Sequence, residues 1–207
     1  MVVQYYKKMF MSLMPDKLQL QLQRESGTVL DGVKFLLLAA IVVDLISLLS
    51  TGINYVMAKS FALSPEMAVL VNAQFSPATI VISLILVPII MVLLAFLVNG
   101  LTYLLARVLG GTGSFGIQFY QFAVVAGGFH MLSAAFGIIP CLGAVLTFAL
   151  WIYFLYLAFL IYKSVHRLDN LRAAMVVIIP LLVAVLLAAM LLMYLTPLVT
   201  TTTPLPN

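Results

Sequence analysis

Five apolar runs dominate this chain, and each is long enough to cross a bilayer: residues 33–57, 79–105, 117–139, 142–162 and 173–195. A helix needs about 20 apolar residues to cover ~30 Å of hydrocarbon. Inside that hydrocarbon an open strand edge has no water to satisfy its backbone, whereas a helix satisfies its own. The runs therefore predict an all-α fold, a polytopic integral membrane bundle of five transmembrane helices. Composition agrees, with 65% of residues hydrophobic and only 8% charged, against about 25% charged in a soluble domain. Pro88 and Pro180 fall inside the second and fifth runs, where a neighbouring helix or a local distortion compensates for the missing backbone bond.

Basic residues give the expected orientation, because Lys and Arg are retained on the cytoplasmic side. With five spans, Lys7, Lys8, Lys17, Arg24, Lys34, Arg107, Lys163, Arg167 and Arg172 share one side, and Lys59 is alone on the other. Nine against one predicts a cell-membrane, multi-pass protein with a cytoplasmic N-terminus and a non-cytoplasmic C-terminus. No cleavable signal peptide is expected, since no apolar run of that length follows Lys7 and Lys8.

Three regions follow. Residues 1–32 form a cytoplasmic segment whose mixture of Tyr, Met, Phe and Lys suits a helix lying in the membrane interface. Pro15 and Asp16 read as a helix start, although the alternation in "KLQLQLQ" also suits a strand. Residues 33–196 form the five-span membrane domain. Its longer outer loop has room for a short helix from Pro65, capped by Ser64, and Pro140 and Gly143 make a tight hairpin between the third and fourth spans. Residues 197–207 form a short tail. No soluble domain is expected.

The stretch "RVLGGTGSFG" carries a nominal GxGxxG at Gly111, Gly113 and Gly116. A nucleotide loop needs a preceding strand, and a P-loop needs a lysine; neither is present between two apolar helices. The glycines instead predict a turn, with Gly110 and Gly111 closing the second span in a left-handed cap. Gly113 continues the turn, and Ser114 caps the third span. The single Cys141 excludes an intramolecular disulfide, and no cysteine or histidine spacing suggests a metal. No cofactor, nucleotide or nucleic-acid partner is expected, nor is a catalytic set of residues.

Polar residues inside spans are costly and are functional candidates by default. Asp44 is the only acid within the runs, ~16 Å from the cytoplasmic end of its span at 1.5 Å per residue. His130 lies ~20 Å from the same side, a depth that allows the two to pair. Asn99, Tyr103, Gln121, Tyr153 and Tyr156 extend the candidate cluster. It reads either as a proton or ion relay or as polar packing between helices, with packing favoured. The loop from Lys163 through His166, Arg167, Asp169 and Asn170 to Arg172 is the most concentrated polar feature on the cytoplasmic face. It suits an anionic headgroup or an acidic partner, with Asp169 placed to cap the fifth span.

Four features together resemble the Yip family of five-span membrane proteins. They are "GGTGSF" after the second span, the hairpin Pro140–Leu142–Gly143, the aromatic fourth span with Trp151, and the turn of Val165, His166, Leu168, Arg172, Ala173 and Ala174. The N-terminal "LMPDKL" is similar to the entry of prokaryotic members. The resemblance implies a five-span fold with a cytoplasmic N-terminus and no catalytic signature. Eukaryotic members act in vesicle trafficking and bind prenylated Rab GTPases. The long acidic N-terminal domain and D-L-Y-G-P motif of those members are not found here, which points to a prokaryotic-type member.

The expected function is non-enzymatic: organising or shaping the membrane, or scaffolding other membrane proteins or a cytoplasmic partner. Two readings from other classes stand beside it, a small transporter or channel subunit using Asp44 and His130, and an accessory subunit of a larger membrane complex.

Overall fold

The computed structural model describes residues 2–24, 27–60, 77–139 and 142–202. Seven helices and no strand are present among them. Two short helices come first, α1 (Val2–Ser12) and α2 (Pro15–Arg24). The long helices are α3 (Val29–Ser60), α4 (Pro77–Val108), α5 (Phe115–Phe136), α6 (Leu142–His166) and α7 (Asn170–Thr202). All five are long and apolar enough to cross a membrane, as the sequence predicts. The expected short helix at Ser64 and Pro65, and Pro140 of the expected hairpin, lie outside the described residues.

Helix ends differ from the apolar runs for local reasons. The first long helix begins at Val29 rather than Val33 because Thr28 and Asp31 bond each other reciprocally. The Asp31 N–H donates to Thr28 Oγ1, and the Thr28 N–H to Asp31 Oδ2, each at 3.2 Å, in the manner of a capping box. Asp31 also holds Lys34 at 3.4 Å. The last helix continues to Thr202, beyond the expected end at Leu195; Pro197 removes one backbone donor without stopping it.

The bundle is organised around α5. Its apolar stretch is the least hydrophobic of the five and the most buried, with 61% of it inside the protein against 11% for α4 and 6% for α7. Burial from lipid lets it carry polar and very small residues, and Gln118 to Phe129 are buried without interruption. Small residues set its neighbours' approach, as expected where apolar burial gives little drive between helices. A side chain at Gly32 of α3 would meet the Phe119 ring at 2.8 Å, and one at Gly127 would meet Ala39 at 3.3 Å. Aromatic contacts fill the rest, with Phe96 stacked on Phe119 at 4.3 Å and Phe129 against Phe154 at 4.6 Å and Trp151 at 4.9 Å.

The N-terminal segment goes deeper than a helix lying across the end of the bundle. Helix α1 starts beside Phe35, whose ring centroid is 4.6 Å from that of Tyr5. Four residues later Met9, fully buried, rests on Gly127 and Gly128 at the middle of α5. A side chain at Gly128 would meet the Met9 carbonyl oxygen at 2.8 Å, so only glycine lets the α1 backbone lie there. The turn is fixed by Ser12 Oγ donating to Met9 O at 2.6 Å, by Pro15 opening α2, and by the Tyr153 hydroxyl donating to Leu13 O. Helix α2 then returns, passing Gln121 at Gln21 (3.4 Å) and ending beside Lys163 and Ser164. The two helices are a hairpin whose tip is ~20 Å from the start of α5 at 1.5 Å per residue.

Candidate functional site

The buried polar residues gather where α4, α5 and α6 meet, at the end that carries the basic side chains. Gln118 of α5 is the hub and is fully buried. Its two amide N–H groups are shared among Asn99 O at 3.0 Å, Asn99 Oδ1 at 3.2 Å and Thr102 Oγ1 at 3.0 Å. Its carbonyl oxygen lies 2.7 Å from His166 Nε2, which must carry the ring proton for that bond to form. Tyr162 of α6, also buried, lies beside Thr102. Asn99 completes its own needs by donating to Ala95 O at 2.8 Å. A buried network is stabilising where its members are satisfied and costly where they are not; this one binds three helices together and leaves one buried atom, His166 Nδ1, without a partner.

Two loops close over it. Gly110 has φ +89°, the left-handed conformation that ends a helix, and the Gly111 N–H returns to Ala106 O at 2.8 Å. Arg107 Nη1 donates to Gly111 O at 3.1 Å. The Thr112 N–H donates to His166 O at 3.2 Å, and a side chain at Gly113 would collide with Val165 O. Arg172 Nη1 donates to Leu109 O at 3.2 Å from the other loop. Ser114 caps α5 by accepting from the Ile117 N–H at 3.4 Å, and Asp169 caps α7 by accepting from the Arg172 N–H at 2.8 Å. The glycine turn thus anchors one loop to the other, and the arrangement latches the basic end of the bundle.

The residues singled out from sequence divide among several places. Asn99 belongs to the latch, and Tyr103 packs on His166 at 5.7 Å between ring centroids. His166 departs from its expected role in an accessible loop. It is 1% exposed, because the last turn of α6 points it inward at Gln118. Lys163 is half-buried, while Arg167, Asp169, Asn170 and Arg172 remain on the surface. Gln121 and Tyr153 hold the N-terminal hairpin, and Tyr156 is exposed. Gly143 lies close against Phe136 O at the far end.

Asp44 and His130 do not form a hydrogen-bonded pair. Helices α3 and α5 run parallel, with Ala39 beside Gly127 and Ser50 Oγ donating to Gly137 O at 3.2 Å. That register puts Asp44 level with Met131 and Leu132, but His130 turns instead into an interior cleft. Asp44 is 7% exposed, and its Oδ2, like Ser133 Oγ, has no hydrogen-bond partner. Among the described residues no His, Cys, Asp or Glu side chains group as metal ligands.

Sequence reading missed Gln118, Thr102 and Tyr162. The available signal was spacing: Asn99 and Thr102, and Gln118 and Gln121, are polar pairs three apart in otherwise apolar helices, which puts each pair on one face.

The family model described as the Yip1 domain matches residues 21–192. No curated protein and no solved structure matches the chain. The match takes in all five spanning helices, the glycine turn and the latch beneath it, and the chain is a multi-pass integral membrane protein that belongs to the Yip family.

Proposed function

We propose that this protein shapes the membrane by inserting the α1–α2 hairpin into one leaflet. The observation that carries the reading is the seat of Met9 on Gly127 and Gly128, midway along a spanning helix. Among the described residues, seven helices occupy the basic half of the bundle and five the other half. A body wider in one leaflet than the other favours a bilayer curved towards its narrow side. The hairpin turns Phe10, Met14 and Leu20 outward, at 43%, 56% and 43% exposed, with Asp16 and Lys17 exposed beside them at the tip, a mixed surface of the kind an amphipathic helix presents to a leaflet.

The basic residues orient this wedge. Cytoplasmic placement of that end follows from their excess, and Arg167 and Lys163 then meet the anionic headgroups of the inner leaflet. No step in this reading is catalytic. The buried polar residues act in packing, holding the helices that support the hairpin.

The test is reconstitution at rising protein-to-lipid ratio, with vesicle diameter read by cryo-electron microscopy. The intact chain is expected to narrow the vesicles or draw them into tubules, and a chain lacking residues 2–24 to leave them broad. Equal diameters for the two folded proteins would contradict the proposal.

A further inference from the structure

We infer that the interior cleft between the spans is a binding site for one acyl chain of a phospholipid, taken from the leaflet at the basic end. The cleft has a volume of about 630 Å³ and is lined by side chains from all five spanning helices. Ligand sites typically occupy ~300–1,000 Å³, mostly apolar with a few polar groups that orient the occupant. Here the polar side chains are Thr102, His130 and Tyr162.

The occupant follows from what the cleft rejects. Its inner wall is buried hydrocarbon and aromatic surface, including Ala95, Phe122, Ala126, Phe154 and Ala158. Water is not stable against such a wall, and a void of this size forfeits dispersion contacts all round its lining. Its rim is formed by exposed side chains, such as Leu94 and Trp151 at 54% and 47% exposure, so it opens sideways towards the bilayer. Hydrocarbon from that bilayer is the material that fits.

Length and polarity choose the chain's direction. Along α4 the lining runs from Val87 to Thr102, ~22 Å at 1.5 Å per residue. One leaflet supplies ~15 Å of hydrocarbon, so a whole chain lies in the cleft with room at its far end. Helix α4 has 32 residues, ~48 Å long, and overhangs a ~30 Å hydrocarbon core by ~9 Å at each end. Thr102, six residues before the last residue Val108, therefore sits at the boundary where lipid ester groups begin. Its neighbour Tyr162 lines the cleft beside it and carries a hydroxyl able to donate to an ester carbonyl. Arg107 and Arg172 at the same end suit the phosphate beyond.

Trp151 is the only tryptophan of the chain and lines the cleft, so its fluorescence reports occupancy. In detergent micelles, phosphatidylcholine with brominated acyl chains is expected to quench it saturably, approaching one lipid per protein. Native mass spectrometry of protein released from nanodiscs is expected to retain one lipid. Ala158→Phe and Ala95→Phe each fill the cleft and should abolish the saturable component; having both guards against one failing to fold, as judged by size exclusion. Quenching that rises without saturation and is unchanged in a folded variant would overturn the inference. So would release of a lipid-free monomer, or of a lipid-free dimer, which would assign the cleft to a second copy of the chain.

Discussion

Gln118 makes four polar contacts from a fully buried position and ties α4 and α6 to α5. Replacing it with leucine leaves His166, Asn99 and Thr102 without those bonds, and an unsatisfied buried group costs about 1–3 kcal/mol. Gln118→Leu should lower the thermal midpoint in detergent clearly, while Gln118→Glu keeps the acceptor towards His166 and should lose less. A midpoint unchanged by the leucine variant would show the latch to be idle. Gly110→Ala forces a side chain onto a left-handed backbone, at about 1–2 kcal/mol, and should show a smaller loss by the same measurement. Asp44 behaves oppositely. A lone ionisable group within a span costs roughly 2.5–3.5 kcal/mol on insertion scales, and its Oδ2 makes no hydrogen bond to offset that. Asp44→Asn is expected to match or exceed the parent midpoint and to leave proton flux across proteoliposomes unchanged; loss of a pH-dependent flux would favour the transporter reading instead.

At the scale of elements, the five spanning helices and their caps were legible because each depends on local chemistry. Apolar length marks a span whatever surrounds it, and Ser114, Asp169 and Gly110 are cap residues by the nature of their own side chains. The hairpin was not legible in the same way. Helices α1 and α2 have 11 and 10 residues, too short to declare membrane depth, and their partner surface is a glycine pair more than a hundred residues away. The latch was half legible. Asn99 and Tyr103 stood out as polar groups in an apolar run, but α5 is buried on nearly every side, so no apolar stripe indicated where Gln118 points. His166 was misplaced because charged neighbours surround it in sequence, although the helix turns it inward. One substitution tests the hairpin seat: Gly128→Leu intrudes on the Met9 carbonyl and should release α1 and α2 to protease while the spans stay protected. Unchanged protection of residues 2–24 would contradict the seating.

For the whole molecule, asymmetry links fold to function. The most buried span sits at the centre, the most apolar spans face lipid, and the extra helices crowd one half alone. The proposed membrane-shaping role rests on depth on that one side. The depth of the hairpin tip is therefore the measurement closest to the account. In a Cys141→Ser background, a spin label at Met14→Cys should be reached by oxygen and shielded from an aqueous nickel chelate, as a site near the bilayer centre is. Strong nickel access at position 14, with the spans intact, would place the hairpin in the aqueous interface and contradict the wedge.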